Sequence, residues 1–507
     1  VNRLKDGIQN DVVSAIADKL DKTDLIQNND GLLSLDLPKD VTHPGAIKTL
    51  NEDLLPAMKE VGDKFGSGEL ILPFVLKSAE CMKASVGELE KYLVKEEGTS
   101  KGKLVLGTVY GDVHDIGKNL VKTIFQNNGY SVYDLGKQVP LQKFLEKIDE
   151  VKPDAIGLSA LLVSTSKQMK FFVEHARKNN MTVPILCGGA AINSNYINRI
   201  AKEGGIYDPG VFYCNTMFEG LKTMDTLISD DKPKLLEEWK TKLENWKERT
   251  SVDVDPSTLP RSNVEPVTPP TPKIIGEPIR LKLDQINMDE VWTMIDKKSL
   301  FKLSWGLRGK AGSESEEAHE QLLTEWKIRL IRDKLIEPEI VYGYFKCQNN
   351  GQKLLVENPT GDDVEFDFPR STRPEHLCLT DYFGDDDIVA FQSVTVGTKV
   401  ADILEKWNEE DKYSDAYYLH GLAVELAEAL AQWVNEKIKS ELELTKGGLR
   451  YSWGFPSCPD VSQHHLVWKL LQPEKSGMTI TESGQIIPEQ STAAIILHHP
   501  KAQYFVI

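Results

Sequence analysis

Between Lys103 and Ser229 the hydrophobic period keeps changing, and this alternation limits the possible folds more than any other feature of the chain. Short apolar, β-branched runs (KLVLGTV, SVYDLG, AIGLSALL, VPILCGG and GVFYC) have the length and composition of buried strands. Each is followed by a stretch with helical spacing, such as Lys167 to Asn179 or Thr216 to Ile228. Strands that alternate with helices cannot pair as hairpins. They require crossovers, and hence a parallel, doubly wound α/β sheet with helices on both faces.

The flanks read differently. Three apolar stripes precede the sheet: Leu4, Ile8, Val12, Ile16 and Leu20; then Ile47, Leu50, Leu54, Met58, Val61 and Phe65; then Leu72, Val75, Ala79, Met82, Val86 and Leu89. With a further short helix expected near Gly31–Leu35, they make an all-α helical bundle over 1–98. The sheet domain then covers 99–232. A charged helical tail and a segment with Pro256, Pro260, Pro266, Pro269, Pro270, Pro272 and Pro278 form a semi-extended linker over 233–278. A mixed α+β domain follows over 279–507, with one long helix, Asp415 to Glu441, that carries Leu419, Leu422, Leu426 and Leu430 on one face. A length of 507 residues accommodates three such domains with real cores.

Charge narrows the function. Lys+Arg number 60 against 77 Asp+Glu, a formal charge of −17 that opposes nonspecific nucleic-acid binding. No apolar run is long enough to span a bilayer, and the N-terminus, VNRLKDGIQN, has no apolar signal core, so the expected location is cytoplasmic. The missing initiator Met raises the expectation of a fragment or a processed chain. Cys81, Cys187, Cys214, Cys347, Cys378 and Cys458 are scattered without a CxxC pair, which indicates neither a zinc site nor a disulfide framework.

The chemistry gathers at the strand ends. GDVHDIGKN, Gly111 to Asn119, places His114 after the first strand and before the first helix, where open α/β sheets bind ligands. That window alone equally suits a polar loop histidine between two helix-capping aspartates. Two more blocks lie at strand ends on the same side: Ser159-x-Leu161 and Gly188-Gly189. Small residues there let a large flat molecule approach the backbone. A neutral imidazole ligates a transition metal, and a carboxylate two residues away can hold its other N–H.

Together these blocks resemble the cobalamin-binding domain of corrinoid methyltransferases and mutases, with its DxHxxG, SxL and GG signatures. The spacing agrees: 41 residues separate Gly117 from Ser159, and 26 separate Leu161 from Gly188. The resemblance implies a doubly wound sheet of the flavodoxin or Rossmann kind and a corrinoid whose nucleotide tail enters the sheet. His114 would be the lower cobalt ligand. Asp112 and a hydroxyl, best matched by Thr165 with Ser164 beside it, would form its proton relay. Ser159 would contact the buried base, and Val163 stands where relatives often carry a hydroxyl. Gly111, Val113, Asp115, Gly117, Leu161, Gly188, Gly189 and Thr216 would complete the corrinoid site.

GDKFGSGELILPFVLKSAECMK resembles the cap of the cobalamin-dependent methionine synthases, where Phe65 and Leu72 would cover the upper, methyl-bearing face of the corrin. On periodicity alone, both would be bundle core. Ile295-Asp296, SWGLRGK and LRYSWGFPSCPD resemble the activation domain of the same family, which binds S-adenosylmethionine. Its RxxxGY motif reads here from Arg450 through Gly454 to Phe455, which replaces the usual Tyr. VSQHH stands where many relatives have HTEK. The end of the chain, TESGQIIPEQSTAAIILHHPKAQYFVI, matches the family's final strands and would place Tyr504 and Phe505 at the ligand, with Arg450 on its carboxylate and Asp296 near its amino group.

The resemblance implies a methyltransferase that carries a methyl group on cobalamin (as methylcobalamin) from methyltetrahydrofolate to homocysteine. Reactivation would use S-adenosylmethionine and a flavodoxin-like or other one-electron reductant. The homocysteine and folate domains, with their zinc, would belong to an N-terminal part not in this sequence. A corrinoid methyl-carrier protein of another methyltransferase system, or a cobalamin-binding regulatory module, shares the first blocks. The carrier would have no use for Arg450, and the regulatory module would need a DNA-binding segment, which the acidic chain does not offer.

Overall fold

The computed structural model describes residues 7–20, 25–28, 30–66, 70–93, 100–190, 192–247, 258–307 and 314–507; the side chains of 55, 59, 63, 65, 163, 164 and 314–316 are not among those described. The residues form two compact units, 1–248 with 407–417, and 249–406 with 418–507. No described helix is long and apolar enough to cross a membrane.

The first unit begins with helices α1 (Ile8–Lys19), α2 (Lys39–Lys48), α3 (Leu55–Gly66) and α4 (Leu72–Leu89). Val12, Val13, Ile16, Ala17, Ala46 and Leu89 close their shared core. Leu4, the first residue of the α1 stripe, lies outside the described residues. The helix expected near Gly31–Leu35 is absent. Ile26–Gln27 (β1) pairs antiparallel with Leu33–Ser34 (β2) instead. Gly31 turns this hairpin at φ +78°, which a helix interior does not allow. A π-helical stretch, Thr49–Leu54, joins α2 to α3.

The sheet has five strands: β3 (Lys103–Thr108), β4 (Ser131–Asp134), β5 (Ala155–Ser159), β6 (Ile185–Gly188) and β7 (Val211–Tyr213). All neighbours are parallel, in the order β4-β3-β5-β6-β7. The crossovers are α5 (Ile116–Asn127), α6 (Leu141–Val151), α7 (Val163–Lys178) and α8 (Ser194–Lys202); α9 (Met217–Leu227) follows the last strand. One face buries Phe144, Ile148, Phe172 and Ile197 from α6, α7 and α8. The other buries Ile124, Phe125, Leu221 and Met224 from α5 and α9, together with Val75 of α4. Helix α10 (Lys232–Asn245) is the charged tail, and it docks rather than dangles: Leu243 is buried, and Trp239 packs on Phe212 and donates its indole N–H to Val211 O at 3.1 Å.

Because β3 lies between β4 and β5, the chain reverses its winding direction at β3. The loops after β3 and β5 therefore diverge and leave a crevice at the carboxyl ends of these strands. His114 and Ser159 lie on the two sides of that crevice.

The second unit holds β8 (Ile279–Lys282), α11 (Met288–Thr293), α12 (Lys297–Ser299), α13 (Glu314–Arg332), β9 (Glu339–Asn350), β10 (Lys353–Val356), β11 (Val364–Asp367) and β12 (Asp387–Thr395). After these come α14 (Lys399–Glu409) up to residue 406, α15 (Tyr413–Glu441) from residue 418, β13 (Leu449–Ser452), α16 (His464–Leu471), the pair β14 (Thr479–Ile480) and β15 (Ile486–Ile487), and β16 (Ser491–Leu497). An antiparallel sheet runs β11-β10-β9-β12-β16-β13, and β8 also pairs with β9. The long helix buries Leu419, Leu422, Leu426 and Leu430 completely. The sheet ends at Leu497, so Tyr504 and Phe505 follow the last strand and are not part of it.

Candidate functional site

Asp112 is fully buried in the loop after β3 and spends both carboxylate oxygens on its neighbours. Oδ1 meets His114 Nδ1 at 2.9 Å and accepts the His114 backbone N–H at 3.0 Å. Oδ2 accepts the Thr165 hydroxyl at 2.6 Å and the Leu161 N–H at 2.8 Å. Burial pushes this carboxyl's pKa up, but the bonds from His114, Thr165 and Leu161 outweigh it and hold the group below the usual carboxylate range. Asp112 is therefore an anion that ties the loop after β3 to that after β5. It also fixes the imidazole tautomer: a proton held at Nδ1 leaves the lone pair on Nε2, the nitrogen a metal would take.

The two-caps alternative does not describe this loop. Asp112 caps nothing, and Asp115, at the N-cap position of α5, makes no side-chain cap bond. Among the described residues no group of three or more His, Cys, Asp or Glu side chains could hold a metal ion.

Beneath these loops lies a cavity of about 290 Å³ between the sheet and helices α5 and α9. Leu104, Leu106, Val121, Phe125, Leu186 and Cys187 form its apolar walls; Gly117, Ser159, Gly188, Gly189 and Thr216 line it as well. Thr216 also caps α9, accepting the Glu219 N–H at 3.1 Å. Burial raises the thiol pKa of Cys214 to about 12, so this wall residue is a neutral thiol. Gly111 turns its loop at φ +79°, and Val113 is buried beside His114.

Gly189 has no alternative. It sits at φ +131°, and a Cβ there would lie 1.9 Å from the Ala160 carbonyl oxygen. Gly189→Ala should cost roughly 2–5 kcal/mol through backbone strain and overpacking, and should narrow the cavity. Chemical denaturation reads the loss; an unchanged midpoint would mean that the β6 loop yields freely.

Leu72 packs with Val61 against the apolar cluster on the α5 and α9 face of the sheet. The Phe65 side chain lies outside the described residues, as do those of Val163 and Ser164.

In the second unit, Arg450 on β13 is no exposed loop arginine. Its Nη2 donates to Glu428 Oε2 at 2.7 Å, and Nη1 is buried without a partner. Glu425, one turn earlier on α15, is buried and accepts the Ser304 hydroxyl at 2.9 Å. Burial raises its carboxyl pKa, and the nearby charges of Asp296 and Glu428 add to the rise. The charge of Asp296 is thus felt at Glu425, and Arg450 pairs with Glu428 one turn further along α15. Asp296 itself caps α12, accepting the N–H groups of Lys298 and Ser299 at 2.9 and 3.1 Å. Gly454 turns the chain after β13 at φ +95°. The Tyr504 hydroxyl donates to Arg450 O at 3.2 Å, and its ring lies 5.1 Å from that of Tyr451. Phe505 is half-buried. Glu425, Glu428 and the cavity walls carry no motif, so only the folded chain reveals them.

The sequence matches three family models: the activation domain of vitamin B12 dependent methionine synthase over residues 287–507, and two B12 binding domain models over 102–222 and 3–90. The methionine synthase of Mycobacterium tuberculosis is 34% identical over 536 residues, covering 93% of this chain and 44% of that protein. That of Mycobacterium leprae is 34% identical over 546 residues, covering 93% and 45%. The chain thus spans less than half the length of these relatives. A crystal structure of a MetH reactivation domain bound to AdoHcy aligns with 47% of this chain and 83% of its own, at 22% identity and a TM-score of 0.41.

Proposed function

Since the chain belongs to the vitamin B12 dependent methionine synthases through its B12 binding and activation domains, we propose that it is the cobalamin-carrying and reactivating part of such a methyltransferase. In this reading residues 1–98 are the cap, 99–232 a flavodoxin-like cobalamin domain, 233–278 the tail and linker, and 279–507 the S-adenosylmethionine-binding domain. The observation that carries the reading is the Thr165–Asp112–His114 chain of hydrogen bonds above the 290 Å³ cavity at the reversal point of the sheet.

The residues fit the cofactor. An apolar cavity walled by Leu104, Leu106 and Phe125 suits the flat base of the nucleotide tail, and Gly189 admits the backbone path that opens it. When bound, cobalamin supplies a cobalt atom that accepts and releases a methyl group. The chain's own part would be to present His114 Nε2 to that cobalt, keep the proton on Nδ1 hydrogen-bonded to the Asp112 carboxylate, and let the Thr165 hydroxyl share that carboxylate's charge. Leu72 and Phe65 of the cap would exclude water from the upper face. Arg450, Asp296 and the neighbouring Glu428 would hold the S-adenosylmethionine, with Gly454, Tyr504 and Phe505 around it. The homocysteine and folate domains, and a one-electron reductant, are the partners this reading requires. It places the protein in the cytoplasm, where its six free thiols stay reduced.

The test is reconstitution. Apoprotein mixed with methylcobalamin should retain it through gel filtration and show the absorption of a histidine-ligated form. After photolysis, the methyl form should return only when both a strong one-electron reductant and S-adenosylmethionine are present. Loss of the cobalamin on the column would defeat the reading; return of the methyl form without S-adenosylmethionine would defeat the role given to the last domain.

A further inference from the structure

Lys118 belongs to the GDVHDIGKN stretch but has no part in the hydrogen bonds around His114. It is 1% exposed, it lines the cavity, and its Nζ lies 2.6 Å from Asp134 Oδ1 and 2.6 Å from Asn119 Oδ1. Lys122, one turn on, reaches the other oxygen of the same carboxylate at 3.2 Å. Two ammonium groups therefore share one carboxylate, which leaves a surplus positive charge beside the cavity. A buried charge is costly unless something compensates it, and a methionine of similar reach would line an apolar wall at no such cost.

We infer that Lys118, assisted by Lys122, receives the phosphodiester of the cobalamin nucleotide tail. This rests on the reading that the cavity takes that tail. Along α5 the cavity is lined by Gly117 and Lys118 in the first turn, then by Val121, then by Phe125. At 1.5 Å per residue, Gly117 and Phe125 lie about 12 Å apart along the axis. The apolar end, with Leu104, Leu106 and Phe125, suits the base. The phosphodiester is further back along the same tail, nearer the corrin. It would therefore lie by the first turn of α5, where the surplus charge and the positive end of the helix dipole coincide. The acid nearest that mouth on α9, Glu219, accepts the Asn215 N–H at 2.9 Å and is exposed to water, which screens it.

The test compares apoprotein titrated with cobalamin against the same protein titrated with cobinamide, a corrinoid that lacks the nucleotide tail. Lys118→Met should weaken cobalamin binding roughly ten-fold or more and leave cobinamide within about two-fold. Asp134→Asn, which frees both ammonium groups, should bind cobalamin at least as tightly as the parent. An equal loss for both corrinoids in Lys118→Met, or no loss for either, overturns the inference. So does a loss in Asp134→Asn as large as that in Lys118→Met, because the pair would then be a structural staple. Should Lys118→Met fail to fold, Lys122→Met, at a half-exposed side chain, should show a smaller loss confined to cobalamin and removed by salt; a loss shared by cobinamide rejects the assignment. A parent protein that binds neither corrinoid overturns both this inference and the reading of the cavity. A parent that binds both, with no cobalamin-specific loss in the variants, overturns this inference alone.

Discussion

Replacing His114 with Gly is expected to leave cobalamin bound while its visible spectrum moves to that of the form without a lower nitrogen ligand. The two effects separate because different parts of the chain produce them. Retention depends on the cavity of about 290 Å³ and its apolar walls, none of which involves the imidazole. The spectrum would depend on the lower cobalt–nitrogen bond, which in this reading the imidazole supplies. His114 projects from a loop that Asp112 also anchors through the Leu161 N–H, so removing the ring does not release the loop. Absorption spectroscopy after gel filtration measures both effects at once. A methylcobalamin spectrum unchanged in His114→Gly would remove the residue from the metal. Asp112→Asn should have a smaller effect on the spectrum, of the order of a 10- to 100-fold change in ligand affinity, because it acts on the metal only through the ring.

How much of this was legible before folding depends on what each residue has to do. The five strands and their crossovers read directly, because strands buried on both faces must be apolar throughout and the covering helices must be amphipathic. His114, Ser159 and Gly189 read as well, since each sits at a strand end with a residue type that the core does not need. The walls of the cavity did not. Leu104, Leu106 and Phe125 are ordinary core residues until the helices are seen to leave a space beside them. The β1–β2 hairpin reads as a helix in the sequence because its strands have two residues each, too few to show a period, and because leucines crowd its second half. Thr165 could be matched to its role but not separated from Ser164 by sequence. In the fold the Thr165 hydroxyl reaches Asp112 at 2.6 Å, while the Ser164 side chain lies outside the described residues. Glu428 is one acid among many on a helix rich in charge, and nothing marks it until β13 brings Arg450 alongside.

That pairing sets the other large effect expected of this chain. Arg450→Ala should weaken S-adenosylmethionine binding by roughly 10- to 100-fold and leave cobalamin binding untouched. The guanidinium has two terminal nitrogens in different situations. Nη2 is held by Glu428 at 2.7 Å, which fixes the plane of the group, whereas Nη1 is buried without a partner. A buried N–H donor left unmade is unfavourable, and a carboxylate placed there would satisfy it with a charge-assisted bond. The free energy of that bond would thus go largely into binding, since no internal contact of Nη1 has to break first. Glu428→Gln should have a milder effect of the same sign: the amide still orients the guanidinium but holds it less firmly. Calorimetry with S-adenosylmethionine separates the outcomes. Parent affinity in Arg450→Ala would mean that Nη1 faces no ligand carboxylate. An effect of Glu428→Gln larger than that of Arg450→Ala would mean that the acid, rather than the arginine, touches the ligand, and would move the site from the β13 strand onto the long helix.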